Sequence, residues 1–243
     1  MEKNERGNEV EGLFTEKASN WRKKYKSGGE LRPRLERFLS GVQELLAPEK
    51  RILDFGCGTG DLAAELSKCG YEVCACDFSE AMIRNAAESE SQANVKWNIL
   101  PPDWDTLPYK DSSFDAIVAS SVFEYLKDLE GTMRELSRVV SPGGFIIFTV
   151  PNIYNRTRKI EWYLRKVIQV PLISYLSSIH EKTNKFMKYI RLSVNRFSAE
   201  KWHEYLKCYG FVPLDTREAS DEYWQSNKEN ALILMRFQRN DPS

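Results

Sequence analysis

The spacing of apolar and polar positions changes repeatedly along this chain. In segments such as residues 51–55 apolar residues form short runs, whereas in segments such as residues 61–68 they recur every three to four positions. The first pattern is typical of β-strands and the second of amphipathic α-helices. Strands that alternate with helices predict a mostly parallel β-sheet that is covered by helices, and hence an α/β fold.

This periodicity also places the individual elements. Strands are predicted at residues 51–55, 72–76, 95–99, 114–120 and 144–150. Helices are predicted at residues 16–25, 31–46, 61–68, 79–88 and 129–140. An irregular, partly helical insert follows at residues 151–196. After it, FSAEKWHEYLKCYGF predicts a capped helix that leads into a strand, and NALILMRFQ predicts the last strand.

Length and charge limit the classes of function. A chain of 243 residues can form one large α/β domain, and 35 basic side chains balance 35 acidic ones. A neutral chain has no overall field that attracts nucleic acid, so we expect no nucleic-acid partner. Apolar runs are shorter than the roughly 20 residues of a membrane-spanning helix, and the start MEKNERGNEV is polar. We therefore expect a cytoplasmic protein.

Five cysteines are present, and an odd number in a chain of this size is typical of reduced thiols. Cys74 and Cys76 alternate along a predicted strand and could bind a metal from one face. The alternative is that both are small buried apolar residues. We predict no metal site, because no second pair or histidine stands at ligand spacing.

The segment RILDFGCGTGDLAAEL carries the clearest chemistry. Its glycines fall between a predicted strand and a predicted helix, at the carboxyl edge of the sheet, where backbone N–H groups can approach a ligand closely. Gly58, Gly60 and Ala63 also fit a dinucleotide-binding loop, with Asp77 about 20 residues further on. Asp54 argues against this alternative, since a carboxylate would repel a pyrophosphate and attract a cation.

Four segments in order resemble class I S-adenosylmethionine-dependent methyltransferases. They are LDFGCGTG, CACDFSEAM, DWDTLPYKDSSFDAIVASSVFEYLKD and RVVSPGGFIIFTVPN, and together they span residues 52–152. The resemblance implies a Rossmann-like, doubly wound sheet that is mostly parallel, with an antiparallel C-terminal strand and helices on both faces. It also implies one domain, with an N-terminal helical flap (1–50), a cofactor-binding core (51–150), a helical substrate lid (151–196) and a C-terminal helix with strands (197–243).

The same resemblance implies S-adenosylmethionine as cofactor. The positions that match the family's cofactor-binding residues are Asp54, Gly56, Cys57, Gly58, Gly60, Asp77, Phe78, Asp103, Trp104, Ser120 and Tyr25. In relatives the first acid and the glycine loop hold the amino acid end of the cofactor, the acid at Asp77 binds the ribose hydroxyls, and the acid at Asp103 contacts adenine. Asp103 could instead be a solvated loop residue, and Asp77 a helix cap.

Aromatic residues are expected beside the sulfonium, where cation–π attraction is favourable. Phe78 is interpreted as an apolar wall, and Tyr25 with Trp21 as part of the flap, although a spacing of four residues equally suits packing within a helix. Glu124 and Tyr125 stand where relatives often carry Glu-His, and Asn195 replaces a family histidine. We identify no general base, so the catalytic residues are unknown at this point. Methyl transfer depends mainly on alignment of the reacting atoms.

The insert at residues 151–196 combines apolar residues with ten Lys or Arg and two Glu, a formal charge of +8. We expect it to select the acceptor through Tyr154, Arg156, Arg158 and Trp162. A basic amphipathic segment suits an anionic or apolar acceptor, or contact with anionic lipid; the alternative is a solvated basic face.

Together these features predict methyl transfer to an oxygen or nitrogen of a small molecule. Two alternatives stay open, an O-methyltransferase of a prenylated quinone precursor at the membrane surface and a catalytically silent cofactor-binding partner. The sequence gives no indication of the oligomeric state.

Overall fold

In a computed structural model of this chain, the structure describes residues 9–10, 12–15, 22–25, 28–89, 93–101, 103–168 and 181–240. Most of the helix predicted at residues 16–25, including Trp21, lies outside these residues, and Arg22–Lys24 form a 3₁₀ turn. Residues 169–180 of the predicted lid also lie outside them.

Seven strands and eight helices are described. The strands are β1 (Arg51–Phe55), β2 (Glu72–Asp77), β3 (Val95–Ile99), β4 (Phe114–Ser120), β5 (Val140–Pro151), β6 (Phe211–Pro213) and β7 (Leu232–Arg239). The helices are α1 (Arg32–Gln43), α2 (Asp61–Lys68), α3 (Glu80–Ser89), α4 (Leu129–Val139), α5 (Arg156–Ile168), α6 (Glu181–Leu192), α7 (Ala199–Lys207) and α8 (Asp221–Ser226). A 3₁₀ turn at Phe123–Tyr125 follows β4.

The strands form one sheet in the order β3-β2-β1-β4-β5-β7-β6. The strands β1 to β5 run parallel to one another, and β7 runs antiparallel to both β5 and β6. The strand β1 lies inside the sheet, and β2 and β3 follow it toward one edge. The chain then returns to the other side of β1, where β4, β5, β7 and β6 extend to the opposite edge. The predicted Rossmann-like sheet with an antiparallel C-terminal strand is therefore confirmed, and its switch point lies between β1 and β4.

Two apolar cores cover the two faces of the sheet. On one face α1 and α2 pack through residues such as Phe38 and Leu66. On the other face α4 and α7 pack through Met133 and Trp202. Since each helix buries one apolar stripe against the sheet, the helices lie on both faces, as the periodicity predicts.

Local sequence explains where several helices begin. The Asp128 side chain accepts a hydrogen bond from the Gly131 amide at 2.8 Å at the start of α4. Ser198 caps α7 in the same way, accepting from the Lys201 amide at 3.2 Å. These caps satisfy backbone donors that have no partner within the helix.

The predicted and observed elements differ most in three places. The strand β5 begins at Val140 rather than at residue 144, because Val140 pairs with Phe114 before the register shifts. The helix α1 ends at Gln43 rather than at residue 46. The short helix α8 was not predicted; its amphipathic pattern covers less than two turns, and the Ser220 side chain caps it.

Candidate functional site

The carboxyl ends of β1, β2 and β4 open onto a cavity of about 390 Å³. The loops after these strands form one end of the cavity, which we call the glycine-loop end and define by Asp54, Gly58 and Asp77. Helices α5 and α6 and the turn after β4 form the other end, the lid end, which we define by Glu124, Arg158 and Tyr189. Ligands of doubly wound sheets bind at this edge.

The glycine loop brings backbone to the cavity at Gly58. This residue has φ 54°, and a Cβ atom placed on it would meet no atom within 4 Å, because it would point into open space. Gly60 has a different role: a Cβ there would lie 2.5 Å from the Trp97 ring and 2.8 Å from Ala86. Gly60 therefore allows the start of α2 to lie close to β3 and α3 and does not line the cavity, whereas Gly56 and Cys57 do.

Asp54 is the most unusual group at the glycine-loop end. It lies in β1 and is 1% exposed, yet its Oδ2 atom has no hydrogen-bond partner. Burial, followed by repulsion from Asp77, raises the pKa of Asp54 to about 8, and the Ala63 amide opposes this shift. A buried carboxyl with a free acceptor atom in a cavity is suited to a ligand that brings a cationic donor.

Asp77 joins two loops at the edge of the sheet. Its Oδ2 atom accepts a hydrogen bond from the Gly58 amide, and its Oδ1 atom accepts one from the Ser79 amide, each at 2.9 Å. The second bond supports the turn before α3, which agrees with the alternative that Asp77 is a helix cap. Asp77 also lines the cavity, so both roles fit its position.

Phe78, Asp103 and Trp104 line the cavity at the loops after β2 and β3. Asp103 is exposed, as its alternative interpretation as a solvated residue requires, and it reaches the cavity wall. The Trp104 ring is half-buried and packs edge-on against Phe55, with 5.8 Å between ring centroids. Flat apolar walls of this kind suit a planar ligand group.

Arg34 connects the N-terminal segment to the end of β4 and was not predicted. It donates to the Tyr25 hydroxyl at 2.8 Å and to Ser121 Oγ at 2.9 Å, while its Nε atom is buried without a partner. Tyr25, Ser120 and Arg34 all line the cavity. Ser121 has φ 57°, which is rare for a residue with a side chain and is typical of functional sites. No motif in the sequence marks Arg34.

Glu124 lies at the lid end, in the turn after β4. It is 2% exposed, and its Oε2 atom has no hydrogen-bond partner. Burial raises the pKa of Glu124 to about 7, although the Glu124 amide and the charges of Arg158, Arg34 and Arg196 lower it. A second buried carboxyl with a free acceptor atom therefore lines the same cavity as Asp54.

Asn195 holds this turn in place. Its side-chain amide donates to the carbonyls of Phe123 and Leu126 at 2.8 and 2.7 Å. The backbone amides of Val194 and Asn195 both donate to the Glu124 carbonyl, at 2.7 and 3.2 Å. Asn195 thus fixes the backbone around Glu124.

Buried charges connect the lid to the cavity. Arg158 donates to both carboxylate oxygens of Glu161, at 2.9 and 3.0 Å, and to the Tyr189 hydroxyl at 2.8 Å. Arg196 donates to Glu161 at 2.8 Å, and its Nη2 atom is buried without a partner. Glu161 is 4% exposed, so one buried carboxylate faces two guanidinium groups.

The four predicted lid residues occupy different places. Arg158 lines the cavity, whereas Tyr154, Arg156 and Trp162 do not. Trp162 is 46% exposed and lines a second cavity of about 340 Å³, to which Arg158 and Arg196 also contribute. Arg156 is exposed, and Tyr154 packs beside the core that contains Met133 and Trp202. Tyr189 lines the cavity and was not predicted.

The described part of the chain contains neither a metal-ligand cluster nor a membrane-spanning helix. No three histidine, cysteine or acidic side chains there are grouped so that they could bind a metal ion. None of the described helices has the length and apolar character needed to cross a membrane.

Comparison with known proteins agrees with this geometry. Residues 53–148 match the family model described as "Methyltransferase domain". The chain is 30% identical over 173 residues to a demethylmenaquinone methyltransferase of Clavibacter sepedonicus, covering 69% of this chain and 68% of that protein. It is 36% identical over 99 residues to a malonyl-[acyl-carrier protein] O-methyltransferase of Erwinia pyrifoliae, covering 41% of this chain and 36% of that one.

The matched segment spans only 36%, 49% and 46% of the length of three curated relatives of these two kinds. The fold itself is similar over most of the chain. The crystal structure of magnesium protoporphyrin IX methyltransferase from Synechocystis PCC 6803, with bound S-adenosylhomocysteine, superposes with a TM-score of 0.59 at 17% identity. It covers 90% of this chain and 93% of that one.

Proposed function

Because the chain belongs to the class I S-adenosylmethionine-dependent methyltransferases, we propose that it moves a methyl group from S-adenosylmethionine to an oxygen or nitrogen of a small-molecule acceptor. One observation carries the proposal: the buried Asp54 presents an unpartnered oxygen beside Gly58, at the sheet edge where the family holds its cofactor. A nicotinamide dinucleotide does not suit this acid, because its anionic pyrophosphate brings no cationic donor and would oppose ionisation of the buried carboxyl.

The glycine-loop end fits the amino acid part of the cofactor. Asp54 would accept a hydrogen bond from the ammonium group, which also relieves the cost of burying a carboxylate alone. Arg34 would bind the cofactor's carboxylate, since its buried Nε atom has no partner and its charge is complementary. An acid and a guanidinium at the same cavity match a group that carries both charges.

The remaining predicted residues would hold the nucleoside. Asp77 would accept hydrogen bonds from the ribose hydroxyls, because it lines the cavity and each carboxylate oxygen can accept more than one hydrogen bond. Phe78 and Trp104 would enclose the adenine, with Asp103 at its edge. When bound, the cofactor supplies a methyl group on a positively charged sulfur, which a nucleophile can displace directly.

The lid end would hold the acceptor. Arg158 lines the cavity at this end and its charge acts on Glu124, so this end favours an anionic or weakly acidic molecule. The names of two relatives point in the same direction, since they specify a malonyl group and a demethylmenaquinone. Small size follows from the cavity of about 390 Å³, which also has to hold the cofactor.

The outer face of α5 supports contact with an amphipathic partner. Ile160, Trp162 and Tyr163 are 51%, 46% and 64% exposed, and the exposed Arg156 and Lys159 lie on the same helix. Apolar rings beside basic groups suit anionic lipid headgroups. We include this surface in the proposal as the route by which an amphipathic acceptor reaches the cavity.

The proposal is tested by counting protons when S-adenosylmethionine binds. At pH 7 Asp54, with a pKa of about 8, is mostly protonated in the free protein, and an ammonium beside it lowers that pKa. Calorimetry in buffers of different ionisation enthalpy should therefore show that close to one proton is released on binding. The released fraction should fall as the pH rises above 8.

Asp54→Asn is the control variant. It should release no such proton and should bind S-adenosylmethionine at least about tenfold more weakly, the scale of a charge-assisted hydrogen bond. A loss of folding would not explain this weaker binding. Because the pKa of Asp54 is raised in the folded protein, the protein loses stability as the pH rises through that pKa, and the Asn side chain, which cannot ionise, avoids this loss. Equal proton release by both proteins would reject the role of Asp54.

A further inference from the structure

We propose that Glu124 is a catalytic residue, whose carboxylate takes the proton that a hydroxyl acceptor loses as its oxygen receives the methyl group. The inference rests on the proposed function and narrows its acceptor to a hydroxyl that is still protonated near neutral pH, such as that of a phenol or an enol. No feature of the sequence alone assigns Glu124 this role.

Glu124 is buried in the ligand cavity at the switch point of the sheet. It follows the end of β4, next to β1 at the switch point of the sheet, and it lines the same cavity as Asp54 and Gly58. It is buried except for 2%, and its Oε2 atom meets no donor. Buried carboxylate oxygens are normally hydrogen-bonded, so an unpartnered one in a ligand cavity indicates that the ligand supplies the donor.

Hydrogen bonds hold the turn around Glu124 in a fixed position. Asn195 donates to the carbonyls on both sides of Glu124, and two further amides donate to the Glu124 carbonyl itself. Phe123, fully buried, anchors the turn in the core against Phe148. These bonds join three residues after β4 to a segment some 70 positions later, which is an extensive support for one carboxyl group. A general base requires such fixed placement.

The charges around Glu124 oppose the effect of burial on its pKa. Arg34 of α1, Arg158 of α5 and Arg196 after α6 all act on Glu124, and each favours its charged form, against the effect of burial. Tyr125 is the nearest titratable neighbour along the chain, and its ring packs 6.2 Å from that of Tyr189 on α6. The balance holds the pKa of Glu124 at about 7, where a base can be ionised and still accept a proton.

The proposed step balances. A lone pair of the acceptor oxygen forms a bond to the methyl carbon, and the carbon–sulfur bond breaks with its electron pair going to sulfur. The O–H bond of the acceptor breaks, and its proton moves to Glu124. The products are the methylated oxygen, neutral S-adenosylhomocysteine and a protonated carboxyl, which releases its proton to water when the products leave. A hydroxyl that is already ionised has no proton to lose and does not need Glu124.

This distinction gives the experiment. Transfer of labelled methyl from S-adenosylmethionine is measured with 4-nitrophenol, which is largely ionised at pH 8, and with 4-ethylphenol, which is not. Glu124→Gln should lose about 100-fold or more in kcat with 4-ethylphenol, within the usual range for a general base, and much less with 4-nitrophenol. The wild-type rate with 4-ethylphenol should rise with pH through about 7, and the variant should lose this dependence.

Glu130→Gln is the matched control, because Glu130 is an exposed glutamate paired with Arg134 on α4. It should behave as the wild type with both phenols. An equal loss with both phenols for Glu124→Gln would indicate a structural role and overturn the inference. A wild type that binds S-adenosylmethionine but transfers methyl to no hydroxyl would also overturn it, while leaving the proposed function to nitrogen acceptors.

A measurement without acceptor complements the kinetics. In protein labelled at the glutamate carboxyl carbons and saturated with S-adenosylhomocysteine, one carbon-13 resonance should titrate near pH 7 and be missing from Glu124→Gln. Titration of Glu124 together with the exposed glutamates would overturn the inference, whatever the phenols show. Failure of S-adenosylhomocysteine to bind would instead reject the proposed function, so the two failures can be told apart.

Discussion

The two ends of the cavity are built in different ways. At the glycine-loop end, Asp54, Gly58 and Asp77 come from a single β-α-β segment, and the Gly58 amide donates a hydrogen bond to Asp77. At the lid end, Glu124, Arg158 and Tyr189 come from three separate segments, held together by buried charges and by Asn195. One end therefore depends on local geometry that a short motif can specify, and the other on long-range packing that can vary while the cofactor site stays the same.

The largest effect should come from closing the glycine-loop end. Gly58→Val should abolish measurable binding of S-adenosylmethionine, because a branched side chain would enter the cavity from a backbone with φ 54°. Binding is measured by calorimetry, with a melting curve to confirm folding.

Gly143→Val separates strain from obstruction. Gly143 has φ 73° in an exposed stretch of β5, and a Cβ there also meets nothing within 4 Å, so its substitution adds comparable backbone strain away from the cavity. It should lower the melting temperature by an amount similar to Gly58→Val and leave binding intact. Similar loss of binding in both variants would mean that strain, and not the cavity, is responsible.

The sequence predicted the glycine-loop end of the cavity better than the lid end. The bounds predicted for β1, α2, β3 and β4 agree with the structure, because each has a clear period and is followed within two residues by glycine, proline or serine. The loop residues that line the cavity could be placed because they directly follow those strands. Arg34 could not, since helical periodicity marks which face of α1 is apolar but not which polar residue reaches the end of β4.

The lid end shows why the remaining positions could not be predicted. Charge in the insert indicates a basic lid, but it cannot show that Arg158 and Arg196 are buried around Glu161 while Arg156 is exposed. The turn that contains Glu124 is likewise held by Asn195, some 70 residues away. The predicted roles of Tyr154, Arg156 and Trp162 in acceptor selection, and the predicted domain boundaries, stay predictions.

A smaller effect should come from removing the charge that holds the lid. Glu161→Gln should lower the free energy of unfolding by about 3–5 kcal/mol, because it leaves Arg158 and Arg196 buried without their shared carboxylate. Chemical denaturation measures this loss. Glu130→Gln, which breaks an exposed pair, should change stability by less than about 0.5 kcal/mol.

The variant Glu161→Gln also tests whether cofactor binding at the glycine-loop end is independent of the lid end. Because the hydrogen bonds shown for Glu161 come from Arg158 and Arg196 and not from the glycine loop, Glu161→Gln should keep the wild-type affinity for S-adenosylmethionine at temperatures where it is folded. A loss of cofactor affinity similar to that of Asp54→Asn would show that the two ends are coupled, and the division proposed here would fail.

The smallest effect concerns the outer face of α5. Sedimentation with vesicles of phosphatidylglycerol and phosphatidylcholine should detect weak binding, which Lys159→Ala should reduce by about fivefold, since one basic residue near an anionic surface contributes about 1 kcal/mol. Trp162→Ala should reduce it further by removing an exposed ring. Salt should weaken wild-type binding more than it weakens binding of Lys159→Ala, because it screens the charge that this variant lacks.

The control is Leu214→Ala, which removes an exposed apolar side chain near β6 and should leave binding unchanged. If the wild type does not bind these vesicles, or if Leu214→Ala has the same effect as Trp162→Ala, the basic face of the lid is only solvated. The acceptor would then reach Glu124 from solution.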